Sequence, residues 1–123
     1  MAEYLPLRMP GQALTSSASA TITAGQLLSV SGSGTVAPSG AGDANWLGVA
    51  AFDAASGANV TVFTGGTQRI VAGTGGVTAG QLVHAGASGT VVTHTNGTND
   101  YEVVGIALTT ATATNLVNVQ MMR

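Results

Sequence analysis

Lysine and cysteine are absent from this 123-residue chain, and charge of either sign is scarce: three basic and five acidic residues, or 7 % of the sequence, give a net charge of −2. The missing cysteines exclude disulfides, thiolate metal sites and a thiol nucleophile. The missing lysine excludes a Walker A loop, whose phosphate contact requires that side chain. The basic residues are Arg8, Arg69 and Arg123; three scattered guanidinium groups cannot displace the counterions of a duplex, so nucleic acid is not an expected partner. Long apolar runs are also lacking. The longest, Trp46–Phe52, is far too short to span a bilayer, so no membrane partner is expected. The opening "MAEYLPLRMPGQ" holds no stretch resembling a secretory signal, which reads as synthesis and use in a cytoplasm. A soluble domain usually carries about 25 % charged residues. Here either Thr, Ser, Asn and Gly wet the surface or partners cover much of it, and the second reading is favoured.

What is present is a repeat. "TAGQL" occurs at Thr23–Leu27 and again at Thr78–Leu82. The match extends from "ITAGQLLSVSGSGTVA" at Ile22 to "VTAGQLVHAGASGTVV" at Val77, an offset of 55 positions. Further on, "LGVAAFDAASGANVTVF" (Leu47–Phe63) answers "VGIALTTATATNLVNVQ" (Val104–Gln120) at an offset of 57. The two extra residues fall around "THTNGTND", a polar turn cluster where insertion costs little. The sequence therefore divides into an extended N-terminal arm, residues 1–19, and one β domain, 20–123, made of two repeats at about 20–64 and 75–121.

The secondary structure reads as all-β, because the apolar pieces are short and bounded by Gly, Ser, Thr, Asn or Asp. Strands are expected near Ala20–Thr23, Leu27–Ser31, Thr35–Ala37, Trp46–Phe52, Val60–Thr64, Gln68–Ala72, Leu82–Ala85, Thr90–Thr93, Tyr101–Leu108 and Leu116–Met121. Gly65-Gly66 and Asn96-Gly97 read as tight hairpin turns. "DAASGA" at Asp53–Ala58 fits one helical turn capped by Asp53 and ended by Gly57. Gly48 and Gly105 lie inside strands, where glycine is tolerated if a bulge forms or another backbone approaches closely. Two such units make a small β-clip or barrel-like sandwich. Trp46 and Tyr101 each enter a strand after a polar loop and read as one aromatic placed twice at the same corner.

Catalytic patterns do not emerge. "GTGGVTAG" at Gly73–Gly80 is glycine-rich, but no helix follows to offer its N-terminus to an anion. His84 and His94 occupy the positions of Ser29 and Ser39 in the first copy, and a residue interchangeable with Ser reads as a surface or rim position. Asp100 and Glu102 would share a face on a strand; the plainer reading has Asp100 ending a turn and Glu102 facing water. No residue is assigned to catalysis, to a cofactor or to a metal, and no small-molecule substrate is expected.

The combination of "TAGQL", a glycine-bounded strand, "LGVA…ASGANVTVF", a "GG" turn and a second round of the same elements resembles the capsid decoration (cement) proteins of tailed phages, from about Ile22 to Gln120. At the level of fold it is similar to lambda-type head decoration proteins. The resemblance implies a non-enzymatic virion protein on the outer capsid surface, made in the host cytoplasm. It further implies a homotrimer that binds the phage major capsid protein at three-fold or quasi-three-fold positions and stabilises the head. The prolines Pro6 and Pro10 exclude a helix through the first residues. Tyr4, Leu5, Leu7, Arg8 and Met9 are the candidate capsid contacts of an extended arm able to add to a neighbouring sheet edge; the competing reading is a first strand of the protein's own sheet. Another virion part, a tail-tube or fibre domain, and a small carbohydrate-binding β domain are the alternative functions.

Overall fold

A computed structural model of the chain describes residues 13–95, 97 and 99–122. Ten strands follow one another: β1 (Ala13–Ala18), β2 (Leu27–Gly32), β3 (Thr35–Pro38), β4 (Trp46–Ala50), β5 (Asn59–Phe63), β6 (Thr67–Val71), β7 (Leu82–Ala85), β8 (Val91–Thr93), β9 (Val103–Ala107) and β10 (Leu116–Met121). The only helical pieces among the described residues are single 3-10 turns at Ala87–Gly89 and Asp100–Glu102. The all-β expectation holds. Alternation places the side chains: in β5 Val60 and Val62 point inward, and in β10 Val117, Val119 and Met121 do the same, with Thr61 and Asn118 between them less buried, as a pleated strand with one buried face requires.

The first five strands form a closed barrel in the order β1-β3-β2-β4-β5, and the last five a sheet in the order β6-β10-β9-β7-β8. These are one topology used twice, with β6 standing for β1. In the first half β1 runs parallel to β3 through Ser17–Thr35 and Ala18–Val36. In the second, a single parallel bridge, Ala72 to Val91, holds the corresponding edges together. The repeat is therefore longer than its sequence match. Residues 13–18, expected within the arm, are a strand whose first five residues, Ala13 to Ser17, pair with β5. The strand expected near Gln68–Ala72, placed between the two repeats, is the equivalent strand β6 paired with β10. The Gly65-Gly66 link does not close a hairpin: β5 pairs with β1 and β4, whereas β6 pairs with β10. It is the joint between the halves, and both glycines take positive φ there. Gly97 likewise lies in a connection between β8 and β9, which flank β7 and do not pair with each other; Asn96 is outside the described residues. "DAASGA" forms an isolated bridge at Ala54 and a turn, with no helix.

There are two buried clusters, and the second joins the halves. One contains Leu28, Val36, Val60 and Val62 inside the first barrel. The other contains Ile70, Val83, Val91, Val104, Val117 and Val119 of the second half together with Leu27, Trp46 and Val49 of the first. Trp46 is 2 % exposed while Tyr101 is 65 % exposed, so the two are not a repeated corner. The strand register gives the equivalent of Trp46 as Val103, since Ser29 faces Trp46 and His84 faces Val103.

Candidate functional site

The repeated "TAGQL" is a turn. Gly25 and Gly80 have φ of +85° and +89°, and the Gln26 and Gln81 amides donate to the Thr23 and Thr78 carbonyls at 3.2 Å, which is type II geometry with glycine where φ must be positive. Each glutamine side chain closes the turn again, Oε1 accepting the Thr23 amide at 2.8 Å or the Thr78 amide at 3.0 Å. The next amide is taken by a side chain of the facing loop: Ala24 donates to Asp53 Oδ1 at 2.8 Å, and Ala79 to Thr110 Oγ1 at 3.0 Å. The unit thus builds structure, and Asp53 is absorbed in it. Asp43 is absorbed similarly, accepting the Gly40 amide at 2.8 Å.

Side chains with free chemistry gather at one place. His84 on β7 and His94 just beyond β8 face each other with Nδ1 atoms 3.0 Å apart and rings nearly perpendicular. His94 Nε2 lies 2.9 Å from Asp100 Oδ1, which also accepts the Gly97 amide at 3.0 Å. These two hydrogen bonds, His94 first, hold the Asp100 carboxyl below its usual value. Burial, and then the neighbouring His94, lowers the His84 pKa from its ordinary value, against the opposing pull of Glu102. Glu102 is half-buried, its carboxylate oxygens near the two imidazoles and over Gly42 of the first half. Asp100 therefore does serve a turn, but Glu102 does not simply face water, and the two sit on a 3-10 turn and not on a strand.

The expected exposure of the histidines fails for His94, which is buried. The alignment with serine was right and the conclusion drawn from it was not: Ser29 and Ser39 are themselves buried. The Ser39 amide donates to Leu27 O at 2.9 Å and the His94 amide to the equivalent Leu82 O at 2.8 Å. The signal available in the sequence was the set of exchanges between the copies, Ser29 for His84, Ser39 for His94 and Asn45 for Glu102, while Asp100 keeps the place of Asp43.

The outer surface adds a second feature. A shallow cleft of about 540 Å³ runs where the halves meet, lined by Phe63, Leu116, Gly25, Gln68 and Arg69. Phe63 and Leu116 are exposed large apolar side chains, and Arg69 is the only Arg among the described residues. The five expected arm contacts, Tyr4, Leu5, Leu7, Arg8 and Met9, lie outside the described residues.

A duplicated all-β fold, one barrel and one sheet of the same strand order, whose repeated motif is spent on turns, belongs with structural proteins. The family model for phage cement proteins matches residues 9–121. The chain belongs to that family, and it is a phage structural protein, a component of the virion. Among solved structures it is similar in fold to the head fiber gp8.5 N base in bacteriophage phi29, with a TM-score of 0.70 at 19 % sequence identity over 89 % of this chain and 92 % of that one. No curated protein sequence matches the chain.

Proposed function

We propose that this protein binds the assembled major capsid protein on the outer face of a phage head, as a homotrimer at three-fold or quasi-three-fold positions, and stabilises the shell. Membership of the phage cement protein family over residues 9–121 carries this reading. The composition supports it: a chain with 7 % charged residues is suited to a surface largely covered by partners. Multivalency supplies the mechanism. A weak contact made by one subunit becomes strong when linked subunits engage adjacent capsomers, because the later contacts form at high effective concentration. A protein that binds only the mature lattice stabilises that lattice by mass action. The segment holding Tyr4, Leu5, Leu7, Arg8 and Met9 provides one contact, and the cleft with Phe63, Leu116 and Arg69 a second.

The test mixes undecorated capsids with the full chain, and separately with a chain lacking Met1–Pro10, and compares occupancy after sedimentation. Full-length protein sediments with capsids and shows density at the three-fold positions of reconstructed particles, while the truncated protein binds at reduced occupancy. Absence of binding by the full chain would refute the cement reading; equal occupancy of the two would remove the arm from it.

A further inference from the structure

We propose that His84, His94 and Glu102 form a binding site for a divalent transition-metal cation of the zinc class, with Asp100 as the positioning residue. One nitrogen or oxygen from each of the three lies within 4.8 Å of the others. Two imidazoles and one carboxylate are a donor set that zinc accepts, leaving a fourth tetrahedral position to water. Magnesium and calcium prefer all-oxygen shells, so the two nitrogens select against them.

The tautomer chemistry points the same way. Asp100 Oδ1, 2.9 Å from His94 Nε2, accepts a hydrogen bond from the Nε2–H, which leaves the His94 Nδ1 lone pair directed at His84. The two Nδ1 atoms, 3.0 Å apart, cannot face each other with both lone pairs bare. Either one proton or one cation stands between them. A tetrahedral zinc with bonds of about 2.0–2.1 Å separates two imidazole nitrogens by about 3.3–3.4 Å, so the rings need to part by only a few tenths of an ångström. Carboxylate, imidazole and metal in this order is the arrangement in which the outer carboxylate fixes the ring and raises its basicity.

The comparison of the two repeats adds an independent argument. The first half has serine at both histidine positions, and Ser29 Oγ is buried with no hydrogen-bond partner among the described residues. Ser39 Oγ instead donates to Gly86 O at 3.2 Å. The second half replaces both serines with imidazole. Asp100 keeps the place of Asp43, each accepting the amide of the glycine three residues before it, whereas Glu102 stands where the first half has Asn45 bonded to Val30 O at 2.7 Å. The exchanges between the copies in this region, Ser29 for His84, Ser39 for His94 and Asn45 for Glu102, are thus the ones that assemble the three proposed ligands. A cation here ties β7, the segment after β8 and the Asp100–Glu102 turn to one point.

The experiment uses the full chain, stripped with EDTA and dialysed, and titrated with zinc chloride or magnesium chloride by calorimetry, with thermal unfolding followed in parallel. Zinc binds at one equivalent per chain with a dissociation constant of about a micromolar or below and raises the unfolding temperature; magnesium does neither. His84→Ser places the first repeat's residue on the same backbone and abolishes the binding. Glu102→Gln, at a half-buried position, weakens it without loss of the far-UV CD spectrum. Asp100→Asn weakens zinc binding by about 10–100-fold while cobalt-loaded protein keeps its tetrahedral visible absorption. No zinc binding to the full chain would overturn the proposal and leave the histidines as a hydrogen-bonded pair. Binding unchanged in both His84→Ser and Glu102→Gln would overturn it as well, by placing the cation elsewhere; should His84→Ser fail to fold, Glu102→Gln decides alone.

Discussion

Gly48 and Gly105 stand at equivalent points of β4 and β9, each beside a bulge. Leu28 faces Gly48 but Ser29 faces Trp46, so Leu47 is the extra residue; Val83 faces Gly105 but His84 faces Val103, so Val104 is. A Cβ on Gly48 would strike the Phe63 carbonyl oxygen, and one on Gly105 the Gln120 carbonyl oxygen. Both readings open to a strand glycine, a bulge and a close backbone, are true here together. Since the obstacle is backbone and cannot swing aside, Gly48→Ala and Gly105→Ala should each destabilise by about 1–3 kcal/mol or more, measured as urea midpoints; Gly57→Ala, with no atom near its Cβ but φ of +90°, should cost about 1 kcal/mol. Equal costs at all three would show that the backbone facing Gly48 and Gly105 gives way to a methyl group, since neither glycine has a positive φ. These glycines were legible because a residue with no side chain inside an apolar strand has few explanations. The histidines were not, because equivalence with serine reports a shared backbone position and is silent about burial. Only the packing of β7 against the segment after β8 brings the two rings within reach.

At the scale of the element, the "TAGQL" turns were legible and the chain's first strand was not. β7 and β10 were located to the residue, and β2, β3, β4, β5, β6, β8 and β9 within one or two positions at either end, whereas the strand expected near Ala20–Thr23 is a single bridge from Ile22 to Ala54. β1 was missed because "ALTSSA" is rich in Ser and Ala and reads as a linker; it becomes a strand by pairing with β5 over five residues, a tertiary cause that propensity does not carry. The "TGG" link was misread because Gly-Gly permits a tight reversal without requiring the flanking strands to pair. The turns invite a direct comparison. Gln26 closes its own turn and also donates from Nε2 to Ser88 O at 3.1 Å in the other half. Gln81 closes its turn and accepts from Thr93 Oγ1 at 3.1 Å. Gln26→Ala should therefore lose a contact between the halves as well as the turn closure. Each such exposed hydrogen bond contributes about 0.5–1.5 kcal/mol. Asp53→Ala removes only the acceptor for the Ala24 amide and should cost about 1 kcal/mol, with faster hydrogen exchange at Ala24 as the local readout; unchanged exchange there would show the contact to be immaterial.

On the scale of the whole molecule, duplication did not produce two independent domains. Leu27, Trp46 and Val49 come from the first repeat but are buried with Val83, Val104 and Val117 of the second. Backbone hydrogen bonds also cross the joint, from Gly42 to Ala85 O at 2.9 Å and from Gly89 to Ser39 O at 3.0 Å. The Gly89 backbone sits so close to Gln26 that a Cβ there would lie 2.7 Å from the Gln26 Cβ. Halves that share a core cannot unfold separately without exposing it, so a single cooperative transition is expected. Trp46 is the chain's one tryptophan, and its fluorescence reports the shared cluster. Leu28→Ala opens a cavity in the cluster confined to the first barrel and should cost about 2–5 kcal/mol. Ile70→Val trims the second cluster and should cost about 0.5–1.5 kcal/mol. Because the halves are coupled, both variants should move the urea midpoint of Trp46 fluorescence, and in each the far-UV CD midpoint should move with it. If Leu28→Ala instead split the CD transition into two steps, with Trp46 fluorescence following only the later one, the first barrel would be a separate unit. The shared cluster would then be a contact between domains and not a common core.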